Sequence, residues 1–262
     1  LMDGTNVLSK IKTATTPDVS SGIISAVDSV LQDSKVQTTD VQGIMIGTTQ
    51  FTNAIVERKG LSRTAVIRLC LPATTMLPPL VDWPSDLKDA ASFQVYMLHG
   101  GHEFDGRPIS ELDEENLKRT VEQLRDADIE ALAISSVFSP VNPSFEEKTA
   151  TLIQQEIPEL KISLSHEIGR IGLLERENAA VLNACLSITA ERTVIGIVEA
   201  LAERNLNVPV FWSQNDGTLM DSNFAVRYPV LTVSSGPTNS MRGAAFLSGI
   251  RDCAVVDVGG TT

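Results

Sequence analysis

A few stretches of this 262-residue chain hold side chains able to do chemistry. One is Asp257-Val258-Gly259-Gly260-Thr261-Thr262, reached through the apolar run Cys253-Ala254-Val255-Val256. Paired glycines let backbone N–H groups approach an anion closely, and threonine hydroxyls add donors. An aspartate at a strand end can hold Mg²⁺, a hard cation that takes oxygen ligands. The chemistry is phosphate binding; a hairpin turn at Gly259-Gly260 would use the same residues. Gly47-Thr48-Thr49 forms a second anion-friendly corner, between an apolar run and a short helix stopped by Gly60. Ordinary N-capping by either threonine is its alternative. Ser235-Gly236-Pro237 opens an Ala/Gly-rich helix, which suits backbone contact with a nucleotide or close helix–sheet packing.

Acid–base chemistry has one candidate pair. His166-Glu167 follows a strand, and open α/β sheets place ligands at strand C-terminal ends. A histidine satisfied at a domain junction is the alternative. His99 and His102 have spacing that suggests metal, but no third ligand lies nearby in sequence, and a glycine-flanked loop reads as a solvated turn.

The elements that would position these groups follow from periodicity. Residues 7–13 alternate as a half-wet strand, and Thr16-Pro17-Asp18 starts a helix with Val19, Ile23, Val27, Val30 and Leu31 inward. Strands are predicted over 41–46, 64–71 and 93–98, with an irregular proline-rich stretch at 72–84 anchored by Trp83. Ser110-Glu111-Leu112-Asp113 reads as a capping-box start. From there to 168 the pattern is helix, strand (129–138), helix (144–156), strand (161–164), which requires a parallel sheet with right-handed crossovers. Two helices are predicted over 173–186 and 193–204, then a strand over 208–212 and a polar turn at 213–218. A closing strand carries Asp257.

Hydrophobic residues make up 42% and charged residues 21%, as in a globular protein, and the length allows two domains. A net charge of −12 disfavours nucleic acid and anionic membrane as partners. Cys70, Cys185 and Cys253 are expected as reduced, buried thiols. No membrane-spanning run or signal segment is apparent, so cytoplasm is expected. Both ends read as cut from a longer protein.

In order, Gly47-Thr48-Thr49 to Asn53 and Gly60, Gly101 to Arg107, Ser165-His166-Glu167, Glu175 to Ala184, Ser235-Gly236-Pro237 to Ala245, and Asp257 to Thr261 resemble the hydantoinase A/5-oxoprolinase family. The resemblance covers nearly the whole chain. It implies an α/β, ribonuclease-H-like fold of the actin/sugar-kinase/Hsp70 ATPase superfamily, a mixed sheet flanked by helices. An N-terminal domain over residues 1–185, lacking its first strand, and the start of a second domain over 186–262 are expected. Such proteins use ATP to activate a cyclic amide or a ketone.

The implied activity is ATP-dependent hydrolysis of a cyclic amide of the 5-oxoproline or hydantoin type. A ketone carboxylase subunit and a non-catalytic module of the same fold are the alternatives. By the same resemblance Asp257 assists Mg²⁺, and Gly259, Gly260 and Thr261 contact phosphate. Gly47, Thr48, Thr49, Asn53, Ser235 and Gly236 line the ATP site, with His166 and Glu167 at the substrate end. A hydantoinase B-like subunit or domain and self-association are the implied partners. Two departures stand out: Ile46 occupies a position where the family often has His, and Thr238-Asn239-Ser240 replaces the usual Ala-Gly-Gly. They motivate the non-catalytic alternative.

Overall fold

An eight-residue apolar stretch too short for a core helix and rich in β-branched residues forms a buried strand, and residues 64–71 behave so. The computed structural model describes residues 1–13, 19–250 and 252–258. In chain order it has β1 (Met2–Asp3), β2 (Asn6–Val7), α1 (Val19–Ser34), β3 (Ile44–Ile46), α2 (Gln50–Glu57), β4 (Thr64–Leu71), α3 (Ser85–Ala90) and β5 (Gln94–His99). There follow α4 (Glu114–Asp126), β6 (Ala131–Ser136), α5 (Ser144–Glu156), β7 (Lys161–Leu164), α6 (Ser165–Ile168) and the long α7 (Leu173–Ala202). The chain closes with β8 (Val210–Ser213), β9 (Leu219–Asp221), α8 (Ser222–Arg227), a 3₁₀ turn at Pro229–Thr232 and α9 (Ser235–Ser248).

These elements make two compact units that are discontinuous in sequence. Unit 1 takes residues 1–49, 190–226 and 234–262; unit 2 takes residues 50–189 and 227–233. Unit 2 is built on an all-parallel sheet in the order β5-β4-β6-β7. On one face Ala65, Ile67, Leu69, Leu132 and Ile134 pack with Leu117, Val121 and Leu124 of α4 and Ile153 of α5. On the other, Val66, Ala131 and Ala133 pack with Ala180, Val181, Ala184 and Cys185 of α7. Coverage on both faces is why β4 and β6 read as continuous apolar runs. Burial pushes the Cys185 thiol up to about 12. Unit 1 carries a mixed sheet in which β3 runs parallel to β8 and β8 antiparallel to β9. Its buried side chains include Ile24, Ile46, Val194, Ile197, Leu201 and Trp212.

Several expectations are corrected. Residues 8–13 form no strand; β2 stops at Val7. The α4 N-cap is Asp113, which accepts from the Asn116 N–H at 3.0 Å. Ser110 instead bridges the neighbouring strand ends, accepting from the Gly100 N–H and donating to the Leu71 carbonyl. The two helices predicted between 173 and 204 are one, because no Gly or Pro interrupts the segment between them. By length and composition α7 is apolar enough to cross a membrane, contrary to expectation, and 56% of that window is buried inside the protein. Residues 252–258 form no strand: Cys253 and Asp257 are exposed and Val256 is 83% exposed, so one thiol is not buried. The proposed cap at Thr16-Pro17-Asp18 lies outside the described residues.

A charged residue in the middle of β4 is the least expected member of the core. Arg68 is 0% exposed. Its Nε donates to Glu177 Oε2 at 2.6 Å, and its Nη2 to Glu177 Oε1 at 2.5 Å. Ser135 Oγ donates to Glu177 Oε2 at 2.6 Å, so one carboxylate on α7 ties β4 to β6. Removing one partner of such a pair strands the other charge without water, at about 3–5 kcal/mol. Glu177→Leu is therefore expected to lower unfolding free energy by roughly that amount. The double variant Arg68→Met/Glu177→Leu should lose far less, as read by urea denaturation.

Candidate functional site

Unit 1 assembles one polar corner. Ile46 pairs with Trp212 in the parallel β3–β8 ladder, so Gly47 follows the end of β3 at the edge where β8 ends with Ser213. A Cβ placed on Gly47 would lie 3.4 Å from Asn239 Nδ2 and 3.7 Å from Ser213 Oγ. Asn239 belongs to the first turns of α9, which therefore starts at this edge. Thr238 Oγ1 donates to the Asn215 carbonyl at 2.7 Å, tying α9 to the β8–β9 hairpin. In that hairpin Asp216 Oδ1 accepts from Thr218 Oγ1 at 2.6 Å and from the Thr218 N–H at 2.8 Å. The Thr218 hydroxyl, aided by its N–H and by Arg242, holds the Asp216 carboxyl below the usual range.

The start of α9 has the features of an anion site. Ser234 adopts the left-handed conformation (φ 63°), which turns the chain sharply into the helix. Ser235 is 1% exposed, and its buried Oγ has no hydrogen-bond partner among the described residues. A buried hydroxyl without a partner costs about 1–3 kcal/mol, so it implies a ligand or ordered water. The first-turn N–H groups of a helix lack intrahelical acceptors and carry its positive dipole end. Asp257 joins this helix from the C-terminal segment: Ser240 Oγ donates to its Oδ2 at 2.7 Å.

Thus Gly47 lies beside Asn239 and Asp257 is hydrogen-bonded to Ser240, both in the first turns of α9, on which Ser235 and Gly236 also lie. Thr48 and Thr49 follow Gly47 directly, partly buried and exposed respectively. Asn53 belongs to unit 2, exposed on α2. Gly259, Gly260 and Thr261 lie outside the described residues. Among the described residues no cluster of three His, Cys, Asp or Glu side chains could hold a metal alone.

Unit 2 places His166 and Glu167 on α6, immediately after β7, and gives them different partners. Glu167 Oε1 accepts from Arg227 Nη2 at 2.5 Å and Oε2 from the Tyr228 hydroxyl at 3.0 Å. Burial, reinforced by Glu167, pushes the Tyr228 hydroxyl up to about 12. His166 turns instead to α5, where its Nδ1 lies 2.7 Å from Oε2 of the wholly buried Glu146. Glu146 Oε2 also accepts the His166 N–H at 3.1 Å, and Oε1 accepts Ser165 Oγ at 2.5 Å. Ser165 Oγ accepts Arg176 Nε at 2.9 Å and lies 3.3 Å from Ser139 Oγ. Arg176 extends the network to the carbonyls of Ser136, Arg170 and Ile171. The hydrogen bond to Glu146 raises the His166 pKa, against the opposing pull of burial.

So the expected His166–Glu167 pair is not a pair. Its partner is Glu146, which sequence reasoning missed, although a signal was present. Glu146, Thr149 and Ile153 share one helix face at i, i+3 and i+7, and all three are buried. His102 is also corrected. It is 1% exposed, stacked on Phe145 with ring centroids 4.4 Å apart, and its Nδ1 has no partner among the described residues. It is a core residue and not a solvated turn, and burial lowers its pKa.

Comparison with known proteins adds the following. A family model described as "Hydantoinase/oxoprolinase N-terminal region" matches residues 1–157, and one described as "Hydantoinase/oxoprolinase" matches residues 176–262. The chain is 28% identical to the caprolactamase subunit alpha of Pseudomonas jessenii over 162 residues, covering 60% of this chain and 23% of that protein. It is 26% identical to the acetophenone carboxylase gamma subunit of Aromatoleum aromaticum over 167 residues, covering 60% of this chain and 22% of that protein. The match therefore spans less than a quarter of either relative's length. The solved ATP-dependent caprolactamase of P. jessenii superposes with a TM-score of 0.72 at 23% identity, over 94% of this chain and 38% of that one. That likeness shows the expected α/β fold class.

The buried His102 and the partly exposed His166 make opposite demands on pH. His166 has a raised folded-state pKa, so its contribution is fully present below its unfolded value, about 6.5, and is lost as pH rises through the folded value. His102 has a lowered one, so its contribution is present above about 6.5 and lost as pH falls through the folded value. Urea midpoints across a pH series should show His166→Gln flattening the alkaline limb and His102→Phe the acid limb.

Proposed function

The chain belongs to the hydantoinase/oxoprolinase family, and on that premise we propose that it is part of the ATP-binding subunit of an enzyme that opens a cyclic amide. The observation that carries the reading is the corner of unit 1. There the start of a fourteen-residue helix meets a parallel-strand edge and holds a buried serine hydroxyl with no partner among the described residues. That combination favours a phosphate, which supplies the acceptors the helix N–H groups and Ser235 lack.

The chemical need for ATP is plain. An amide carbon is a poor electrophile because nitrogen donates into the carbonyl and its oxygen is a poor leaving group. Phosphorylation of that oxygen by ATP, with ADP leaving, would make the carbon electrophilic. Water would add to it, and the C–N bond would break with the nitrogen taking up a proton. Hydrolysis of the resulting acyl phosphate would release the carboxylate and inorganic phosphate. Ser235, Gly236 and the α9 N–H groups would face the phosphates, with Gly47, Thr48 and Thr49 at the adjoining strand edge. Gly259, Gly260 and Thr261 would extend the phosphate contacts. A single carboxylate such as Asp257 fits Mg²⁺, which is commonly held by one or two carboxylates, waters and substrate phosphates. When bound, the ion neutralises phosphate charge. His166 would act as acid–base group toward the substrate, with Glu167 holding Arg227 and Tyr228 beside it.

The names of the relatives bear on substrate and assembly. Caprolactam is a cyclic amide, which supports the hydrolase reading. Similarity to a carboxylase gamma subunit favours a second reading, an ATP-dependent ketone carboxylase subunit. Both relatives are named as subunits, which supports a partner subunit; a hydantoinase B-like identity for that partner, a multimeric assembly and a cytoplasmic location complete the proposal.

Calorimetric titration with Mg-ATP is the test. Binding is expected in the intact protein, weakened about tenfold by Ser235→Ala, the loss of one hydrogen bond to a charged group. In Asp257→Ala the magnesium dependence should disappear. ATP turnover with cyclic amides, but not with ketones and bicarbonate, supports the hydrolase; the reverse supports the carboxylase. Nucleotide binding without turnover on either panel would leave a non-catalytic module.

A further inference from the structure

Among the titratable groups of unit 2, only one buried carboxylate gathers its hydrogen bonds around a partly exposed histidine. Glu146 is wholly buried, and the three contacts described for it come from Ser165 Oγ, the His166 N–H and His166 Nδ1. We propose that Glu146 is the positioning residue for His166, holding the ring with its proton on Nδ1 so that Nε2 alone exchanges protons with a substrate. The proposal rests on the reading of His166 as the acid–base group.

Its logic is geometric. A carboxylate oxygen only accepts, so the 2.7 Å contact requires Nδ1 to donate. In the neutral ring the lone pair then resides on Nε2, the nitrogen on the opposite side from the buried partner. The side chain keeps 16% exposure, so the ring is reachable while its orienting contact is not. The backbone bond from the His166 N–H to the same oxygen closes a small ring through one residue, which limits ring rotation. Ser165 and Arg176 hold the second carboxylate oxygen in place: Arg176 Nε donates to Ser165 Oγ, which donates on to Oε1. Glu146 therefore has little freedom to leave His166.

The charges that face the ring are few. On α5 they are Glu146 and Glu147, the latter with Oε1 3.8 Å from Nε2. On α6 itself Glu167 lies close enough to act on the ring but is engaged with Arg227 and Tyr228. On α7 Arg176 reaches the network through Ser165. Glu147 is 59% exposed and could be displaced by a substrate approaching Nε2, whereas Glu146 could not.

The test is nitrogen-15 NMR on the intact protein with labelled histidine, assigned by His166→Gln. Above its titration, His166 in the unmodified protein should show a protonated Nδ1 and an unprotonated Nε2. In Glu146→Gln the midpoint should fall by on the order of one pH unit, and the tautomers should mix, because the nearby negative charge is gone. In Ser165→Ala, which leaves the Oε2 contact in place, the Nδ1–H form should persist. A protonated Nε2 in the unmodified protein overturns the proposal, with no variant needing to fold. An unmoved midpoint in a folded Glu146→Gln protein overturns it as well. Turnover separates it from the reading beneath: full activity in His166→Gln removes the acid–base role of His166 and leaves the tautomer result standing.

Discussion

Two adjacent residues on α7, Arg176 and Glu177, carry opposite charges into a space with almost no water, and unit 2 is arranged around satisfying both. Consecutive helix positions point about 100° apart, so the two side chains cannot share a partner set. Glu177 reaches β4 and β6 through Arg68 and Ser135. Arg176 reaches the ends of β6 and β7 through the Ser136 carbonyl and Ser165. Burial pulls the Arg176 pKa down, while Glu146 and Glu177 pull it up. The carbonyls it caps belong to the turn that connects α6 to α7.

This arrangement links stability to chemistry. The serine that accepts from Arg176 also donates to Glu146, and Glu146 holds His166. The histidine is therefore fixed by a chain of hydrogen bonds that runs back into the core. Low dielectric strengthens such a chain when every member is satisfied and makes an orphaned member costly. Buried charge networks are often replaceable by apolar packing without loss of stability, so the proposed positioning of His166 accounts for this one better than stability alone.

For the phosphate binding proposed for unit 1, backbone would stand in place of side-chain charge. A protein with a net charge of −12 has little cationic surface to offer a phosphate. Helix N-terminal N–H groups and hydroxyls supply donors without adding cations. The two departures from the family pattern fall near this corner. Ile46 is buried in the β3–β8 ladder, where it packs as an ordinary core residue. Thr238, Asn239 and Ser240 make particular contacts, to the Asn215 carbonyl, beside Gly47 and to Asp257. Side-chain hydrogen bonds thus replace the close backbone approach that glycines would allow.

The sequence by itself determined the parallel core of unit 2, because burial on both faces writes itself as unbroken apolar runs. Residues 64–71 and 161–164 and the helix over 144–156 lie where periodicity puts them. It also determined the family, through several short motifs in a fixed order. Local pattern could not show which segments share an edge or a partner. The corner at Gly47, Ser213, Asn239 and Asp257 joins residues about 170 to 210 positions apart, and only the β3–β8 pairing and the placement of α9 bring Gly47 to it. Adjacency made Glu167 look like the partner of His166, and tertiary structure chose Glu146, 20 residues earlier. The reason is directional: neighbouring side chains on a helical turn diverge, while a carboxylate on the inward face of the next helix converges. A charge on an otherwise apolar stripe, as at Arg68 and Glu146, is the trace such convergence leaves in a sequence; its partner is named only by the fold.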